Sequence, residues 1–86
     1  MKALLCKEFG PPETLSYEEI DDPVLKDGHV VVDIHSASVN FPDVLMIQDK
    51  YQFKPPLPFS PGGESSGVIT EIGNGVEGFN QGDRVI

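Results

Sequence analysis

The chain has 86 residues, which is enough for one small domain with a single hydrophobic core. Hydrophobic residues make up 38% and charged residues 23% of the sequence, too apolar and too mixed a composition for a disordered segment. Fourteen acidic and six scattered basic residues give a net charge of −8, which disfavours binding to nucleic acid or to an anionic membrane. The single cysteine excludes an internal disulfide framework and suits a reducing compartment. With no run of transmembrane length, we expect a cytoplasmic protein.

Nine glycines and eight prolines divide the sequence into short segments, as is typical of a β-rich domain. Lys2–Glu8 and Leu15–Ile20 each predict a short strand. His29–Val39 is rich in β-branched residues and predicts the strongest strand of the chain. We expect a further strand over Glu64–Ile72 and a last, incomplete strand over Arg84–Ile86.

A short helix is predicted to begin at Asn40, after the strongest strand. Asn40 can cap a helix, Pro42 is tolerated in a first turn, and Asp43 lies against the positive end of the helix dipole. The region from Tyr51 to Pro61 contains four prolines, so we expect an extended loop. The side chains that this loop is expected to bury are Tyr51, Phe53, Leu57 and Phe59. Short strands with one helix and a proline-rich loop predict a mainly β fold, a partly open β-barrel.

Two glycine patterns are similar to phosphate-binding loops. Gly73–Gly78 has the spacing G-x-G-x-x-G after a strand, but the next residues cannot open a helix that would bind a pyrophosphate. We expect a plain hairpin turn there. Gly62 and Gly67 have the glycine spacing of a P-loop, but Val68–Ile69 stand where that loop needs lysine followed by serine or threonine.

The two histidines and the cysteine are expected to have structural roles. His29 and His35 share a strand face but lie about 20 Å apart, too far to bind one metal ion together. Cys6 stands in an apolar strand and is most simply a small core residue.

The segment from Pro61 to Val85 closely resembles the signature of the medium-chain dehydrogenase/reductase superfamily, G-H-E-x-x-G-x5-G-x-x-V with a downstream G-D-R-V. Two positions depart from the zinc-dependent alcohol dehydrogenases of this superfamily. Gly63 stands where they have a histidine ligand, and Asn40 stands where they have a cysteine ligand. A hydrogen and a neutral amide cannot replace an imidazole and a thiolate, so we expect no catalytic zinc. The signature residues that agree in spacing are Gly62, Glu64, Gly67, Gly73, Val76 and Gly82–Val85.

Together with Phe9–Leu15 and Val39–Asp43 followed by Tyr51, these departures resemble the zinc-independent quinone oxidoreductase branch, the relatives of zeta-crystallin. The resemblance covers essentially the whole chain. It implies that residues 1–86 are the N-terminal part of a GroES-like catalytic domain, and that a Rossmann domain binding NADPH is not in this chain. The isolated chain is then expected to be inactive.

The chemistry that the resemblance implies is hydride transfer from NADPH to a quinone or another conjugated carbonyl. Asn40 is then a candidate catalytic and cofactor-binding residue that faces the nicotinamide, or alternatively only a helix cap. Tyr51 is a candidate catalytic and substrate-binding residue whose hydroxyl could donate to a quinone oxygen, or alternatively a loop anchor. We expect Asp43 to stabilise the helix start and Glu64 to form hydrogen bonds with the backbone.

Two other functions stay open from the sequence. One is reduction of an enoyl thioester or enone, since related branches share the barrel and differ mainly in the cleft. The other is a non-enzymatic GroES-like module. The expected partner is a small-molecule quinone or enone, and the resemblance implies a homodimer of the full-length protein.

Overall fold

The computed structural model describes residues 1–86, and the fold is mainly β with a single α-helix. None of the helical segments has the length and apolarity that a membrane-spanning helix needs. The predicted elements are confirmed, although four strands are shorter than the sequence suggests, and the helical turn over Pro12–Thr14 was not expected. In chain order the elements are β1 (Lys2–Leu5), the 3-10 turn (Pro12–Thr14), β2 (Ser16–Glu19), β3 (Val30–Ser38), α1 (Phe41–Ile47), β4 (Glu64–Ile72) and β5 (Arg84–Val85).

The chain forms two compact units, each built from two separate stretches of sequence. Unit 1 comprises Met1–Asp21 and Ser38–Gly63, and it therefore contains β1, β2, α1 and the proline-rich loop. Unit 2 comprises Asp22–Ala37 and Glu64–Ile86, and it contains nearly all of β3 with β4 and β5.

In unit 1, β1 and β2 form an antiparallel pair with Lys2 opposite Glu19. β1 ends earlier than predicted because Cys6 pairs with Phe59 of the proline-rich loop instead of with β2. The Cys6 N–H donates to the Phe59 carbonyl at 2.7 Å, and the Phe59 N–H donates back at 3.1 Å. The buried apolar residues of this unit are Cys6 and Ile47.

The proline-rich loop is extended, as predicted, and has no helix or strand beyond its pairing with Cys6. The prediction that it buries its apolar side chains is only partly correct. Tyr51 and Phe59 are half-buried, whereas Phe53 and Leu57 are exposed. The sequence pattern could not separate them, because a loop has no periodicity that assigns side chains to an inner face.

In unit 2, the three strands form one sheet in the order β3-β4-β5, and Ile69 of β4 is its fully buried side chain. Gly67 of β4 lies against the β3 backbone so closely that a Cβ at this position would be 2.1 Å from the Asp33 carbonyl oxygen. No residue with a side chain fits there, so the glycine is required by the packing of one backbone on another.

Candidate functional site

The candidate site begins at the N-terminus of α1. Asn40 is the N-cap residue in extended conformation, Pro42 lies in the first turn, and Asp43 forms a capping box with Asn40. The Asn40 N–H donates to Asp43 Oδ2 at 2.8 Å, and the Asp43 N–H donates to the Asn40 carbonyl at 3.0 Å. The predicted helix start is confirmed, including the role of Asp43 in stabilising it.

Asp43 also joins this helix start to a distant part of unit 1. Its side chain is only 6% exposed, and its second oxygen, Oδ1, accepts a hydrogen bond from the Gly62 N–H at 3.0 Å. One buried carboxylate therefore brings Asn40 and the Gly62–Gly63 segment together. These are the places where the sequence departs from the zinc-dependent enzymes, so both departures fall at one site.

The sequence did not predict the bond between Asp43 and Gly62. An acid three residues after a helix cap indicates only a local capping partner. The Gly62 donor lies 19 residues further along the chain, and no spacing pattern indicates such a contact.

The side chain of Asn40 lies on the surface between two apolar neighbours. Its amide nitrogen donates to the Ser38 hydroxyl at 3.0 Å. Val39 is 77% exposed and Phe41 is 72% exposed. We call the exposed segment Val39, Asn40 and Phe41 the Asn40 surface; it contains one hydrogen-bonding amide and two exposed apolar side chains.

Tyr51 lies beyond the other end of α1. The helix has seven residues and is about 10 Å long, and Asn40 precedes it whereas Tyr51 follows it. The Tyr51 side chain is half-buried, and its hydroxyl forms no hydrogen bond within the chain. No hydrogen bond joins Tyr51 to Asn40, so the role of Tyr51 stays a prediction.

Gly63 occupies the position at which the zinc enzymes have histidine. A Cβ built on Gly63 would meet no atom within 4 Å. Across residues 1–86, no three or more His, Cys, Asp and Glu side chains are placed together to hold a metal ion. The donor set at Asn40 and Gly63 does not fit a catalytic zinc, since it offers neither thiolate nor imidazole.

The glycine loop Gly73–Gly78 forms turns and leads into β5 without a helix. The Gly73 N–H donates to the His29 carbonyl at 2.8 Å, and the Gly28 N–H donates to the Asn74 carbonyl at 2.7 Å. The prediction that no helix follows this loop is confirmed, so the loop presents no helix N-terminus to a pyrophosphate. The expected plain hairpin turn is wrong, because the eleven residues 73–83 separate β4 from β5.

Cys6 is a core residue, as predicted, and is only 1% exposed. Its thiol donates to the Glu8 carbonyl at 3.2 Å. Burial, with a smaller contribution from the negative charge of Glu8, raises the pKa of the thiol. A buried thiol that resists ionisation is a poor nucleophile.

Comparison with known proteins identifies the family. Residues 26–86 match the alcohol dehydrogenase GroES-like domain, over well more than half of the chain. The chain belongs to this family. The expected GroES-like domain is thereby confirmed, and the mainly β architecture is that of such a domain.

Two curated relatives show which members of the family this GroES-like chain is similar to. It is 44% identical over 85 residues to quinone oxidoreductase-like protein 2 of Mus musculus, covering 99% of this chain and 24% of that protein. It is 37% identical over 86 residues to the quinone oxidoreductase of Homo sapiens, covering 99% of this chain and 26% of that protein. The chain thus spans about a quarter of the length of these relatives.

Three solved structures of oxidoreductases also resemble this chain. A probable oxidoreductase from Mycobacterium abscessus has a TM-score of 0.88 and 40% identity, covering 98% of this chain and 26% of that one. The quinone oxidoreductase of Thermus thermophilus, also solved in complex with NADPH, has a TM-score of 0.72 and 29% identity, covering 99% and 30%. The mitochondrial 2-enoyl thioester reductase of Candida tropicalis has a TM-score of 0.70 and 27% identity, covering 96% and 26%. The GroES-like chain therefore comes from an oxidoreductase family.

Proposed function

We propose that residues 1–86 are the N-terminal part of the catalytic domain of an NADPH-dependent oxidoreductase that reduces quinones or related conjugated carbonyls without catalytic zinc. The proposal rests on one observation. The two carboxylate oxygens of Asp43 accept hydrogen bonds from the Asn40 N–H and the Gly62 N–H, which brings Asn40 close to the Gly62–Gly63 segment. The superfamily's zinc enzymes have two ligands at this site, and here both are replaced by residues that do not bind zinc. The similarity to quinone oxidoreductases supports the choice of acceptor.

NADPH, when bound, supplies the hydride. The relative from Thermus thermophilus with an NADPH complex supports this cofactor. Asn40 would contact the nicotinamide end, since its exposed amide can form hydrogen bonds. In this proposal a Rossmann domain outside residues 1–86 would hold the diphosphate; the Gly73–Gly78 loop, which opens no helix, offers it no helix N-terminus.

The residues of the chain would act by binding and orientation. The Asn40 amide orients the nicotinamide or the acceptor through hydrogen bonds, and the Tyr51 hydroxyl donates to an oxygen of the quinone. Val39 and Phe41, which are exposed in this chain, are available for apolar contact with a bound ring. Without a metal to polarise the carbonyl, positioning and hydrogen bonding in a dry cleft would stabilise the transition state. We further propose that the full-length protein is a cytoplasmic homodimer.

Reduction of a 2-enoyl thioester is the second candidate. The similarity to the thioester reductase of Candida tropicalis favours it, although the identity of 27% is lower than that to the two curated quinone oxidoreductase relatives. A conjugated thioester presents the same flat, polar-edged acceptor to the Asn40 surface, so the surface alone does not discriminate between the two substrates.

The test uses the purified full-length protein that carries this chain. NADPH oxidation is followed with a simple quinone and with crotonyl thioester, each in the presence and absence of a metal chelator. We expect quinone-dependent oxidation that survives chelation, and an intact mass near that of a two-domain reductase.

Three results would contradict the proposal in different ways. If the protein reduced thioesters but not quinones, thioester reduction would replace quinone reduction as the proposed function. Activity abolished by chelation would reject the zinc-free reaction. A heptameric protein that neither binds nor oxidises NADPH would instead be a non-enzymatic GroES-like module.

A further inference from the structure

We propose that Asp43 is a positioning residue for hydride transfer: its carboxylate fixes Asn40 against the Gly62–Gly63 segment, and the rate depends on Asp43 through Asn40. This inference rests on the function proposed above. It assigns to a buried acid a role beyond the capping of α1.

The burial of Asp43 is the first argument. The carboxylate is only 6% exposed, and it pairs with no Lys, Arg or His side chain. Removing a carboxylate from water is costly unless its oxygens receive hydrogen bonds. Both oxygens do so, one from the Asn40 N–H at 2.8 Å and the other from the Gly62 N–H at 3.0 Å.

Helix capping does not explain this arrangement. In a capping box the acid accepts one hydrogen bond from the N-cap N–H, and an exposed acid can accept it. The second bond of Asp43 goes to a residue of a different segment, which a cap does not need. A carboxylate bonded on both sides instead fixes the distance between two backbone segments.

Asn40 is the residue whose placement depends on this carboxylate. Its backbone N–H is bound to Asp43, and its amide nitrogen donates to the Ser38 hydroxyl at 3.0 Å. Hydrogen bonds of both its backbone and its side chain therefore orient the exposed amide of Asn40. Loss of the Asp43 bonds would release the backbone of Asn40 and that of Gly62 together, and a displacement of about 1 Å at a reacting centre can lower a rate up to about 100-fold.

The variant that tests the role is Asp43→Asn. It keeps the size and one acceptor oxygen, but replaces the other oxygen by an amide nitrogen that would face a backbone N–H. The matched control is Asp49→Asn, the same chemical change at an exposed acid just after α1. Asp49 bonds Lys54 Nζ at 2.7 Å and has a φ of 60°, a conformation that asparagine adopts readily.

The experiment is a double-mutant cycle in the full-length protein, with kcat and KM measured for NADPH and a simple quinone. We expect Asp43→Asn to lower kcat about 10-fold while the KM for quinone changes less than about twofold. Because Asp43 acts through Asn40, adding Asp43→Asn to Asn40→Ala should lower kcat by less than about twofold more. Asp49→Asn should retain the wild-type kcat.

Additive losses in the double variant, or a wild-type kcat in Asp43→Asn, would overturn the positioning role while leaving the proposed function intact. A wild-type protein without quinone-dependent oxidation would instead overturn the proposed function. If Asp43→Asn does not fold, Asp43→Glu enters the same cycle, because it keeps the charge and displaces both oxygens by one methylene. Non-additivity with Asn40→Ala is again expected, and additivity again rejects the role.

Discussion

The contacts that hold the segments of unit 1 together differ from the contacts that hold the strands of unit 2 together. In unit 2, β3, β4 and β5 form a hydrogen-bonded sheet, and Gly67 allows β4 to pack directly on the β3 backbone. In unit 1, apart from the β1–β2 pair, one or two hydrogen bonds join segments that are far apart in sequence, such as the bond from the Gly10 N–H to the Ile47 carbonyl at 2.8 Å and that from the Gly62 N–H to Asp43. The candidate site residues lie in unit 1. Their geometry therefore depends on a few individual groups, whereas the geometry of unit 2 depends on steric fit between strands.

The largest effect is expected from Gly67→Ala in unit 2. The new Cβ would lie 2.1 Å from the Asp33 carbonyl oxygen and 2.9 Å from its carbonyl carbon, so backbone atoms would have to move. We expect a loss of about 3 kcal/mol or more in the free energy of unfolding, at the upper end of overpacking effects. Urea denaturation measures it.

Gly63→Ala is the matched control for this substitution. No atom lies within 4 Å of its Cβ position, so we expect a change of less than about 1 kcal/mol. Equal denaturation midpoints for the two alanine variants would show that close backbone packing does not determine the stability of unit 2.

The next effect is expected from Asp43→Ala in unit 1. The change leaves the Asn40 and Gly62 N–H groups without their carboxylate partner, and we expect a loss of about 2 kcal/mol. The control is Asp49→Asn, which removes an exposed ion pair at a residue whose φ of 60° asparagine tolerates, and which should cost less than about 1 kcal/mol. Similar losses in both variants would mean that the buried carboxylate does not join the segments of unit 1.

A smaller effect is expected from the titration of Cys6. Burial raises the pKa of the thiol above its unfolded value, so the folded state favours the protonated form. Its contribution is complete below the unfolded pKa and is lost as pH rises toward the folded pKa. Between about pH 8 and pH 10, wild-type stability should fall more steeply than that of Cys6→Ala. Parallel pH profiles would contradict this expectation.

The smallest effect concerns the exposed pair of Lys7 and Glu18 in unit 1. The hydrogen bond from Lys7, followed by that from Ser16, lowers the pKa of Glu18. We expect Lys7→Met to move this pKa back toward its ordinary value, as measured by NMR titration of the side-chain carboxyl group. Overall stability should hardly change, because exposed ion pairs contribute little. If the titration of Glu18 were unchanged in Lys7→Met, Lys7 would not be the cause of the lowered pKa.

Much of the fold could be predicted from local pattern. β4 has the predicted bounds Glu64–Ile72, and α1 begins after its predicted cap Asn40, because β-branched runs and capping residues act over a few neighbours. The early end of β1 was not predictable, since Cys6 pairs with Phe59, a partner 53 positions away that no local pattern indicates.

The site was predictable in its residues and less so in its contacts. Gly63 was found as a departure from the family signature, and Asn40 as a departure at the cysteine position of the zinc-dependent enzymes; both depend on the type and spacing of residues in the sequence. The Asp43 bond that brings them together depends on tertiary structure, and so does the exposure of Val39 and Phe41 beside Asn40. Sequence reasoning placed Tyr51 at the same site, and the structure adds no contact that tests this placement.

The open space around Gly63 makes this position suitable for a spectroscopic reporter. Gly63→Cys would introduce a thiol where no atom lies within 4 Å of the Cβ. Within residues 1–86 it would be the single accessible thiol, because Cys6 is 1% exposed. A fluorophore or spin label attached there would lie one residue from Gly62, which bonds Asp43, so it would report the arrival of a ligand at the Asn40 surface without requiring turnover.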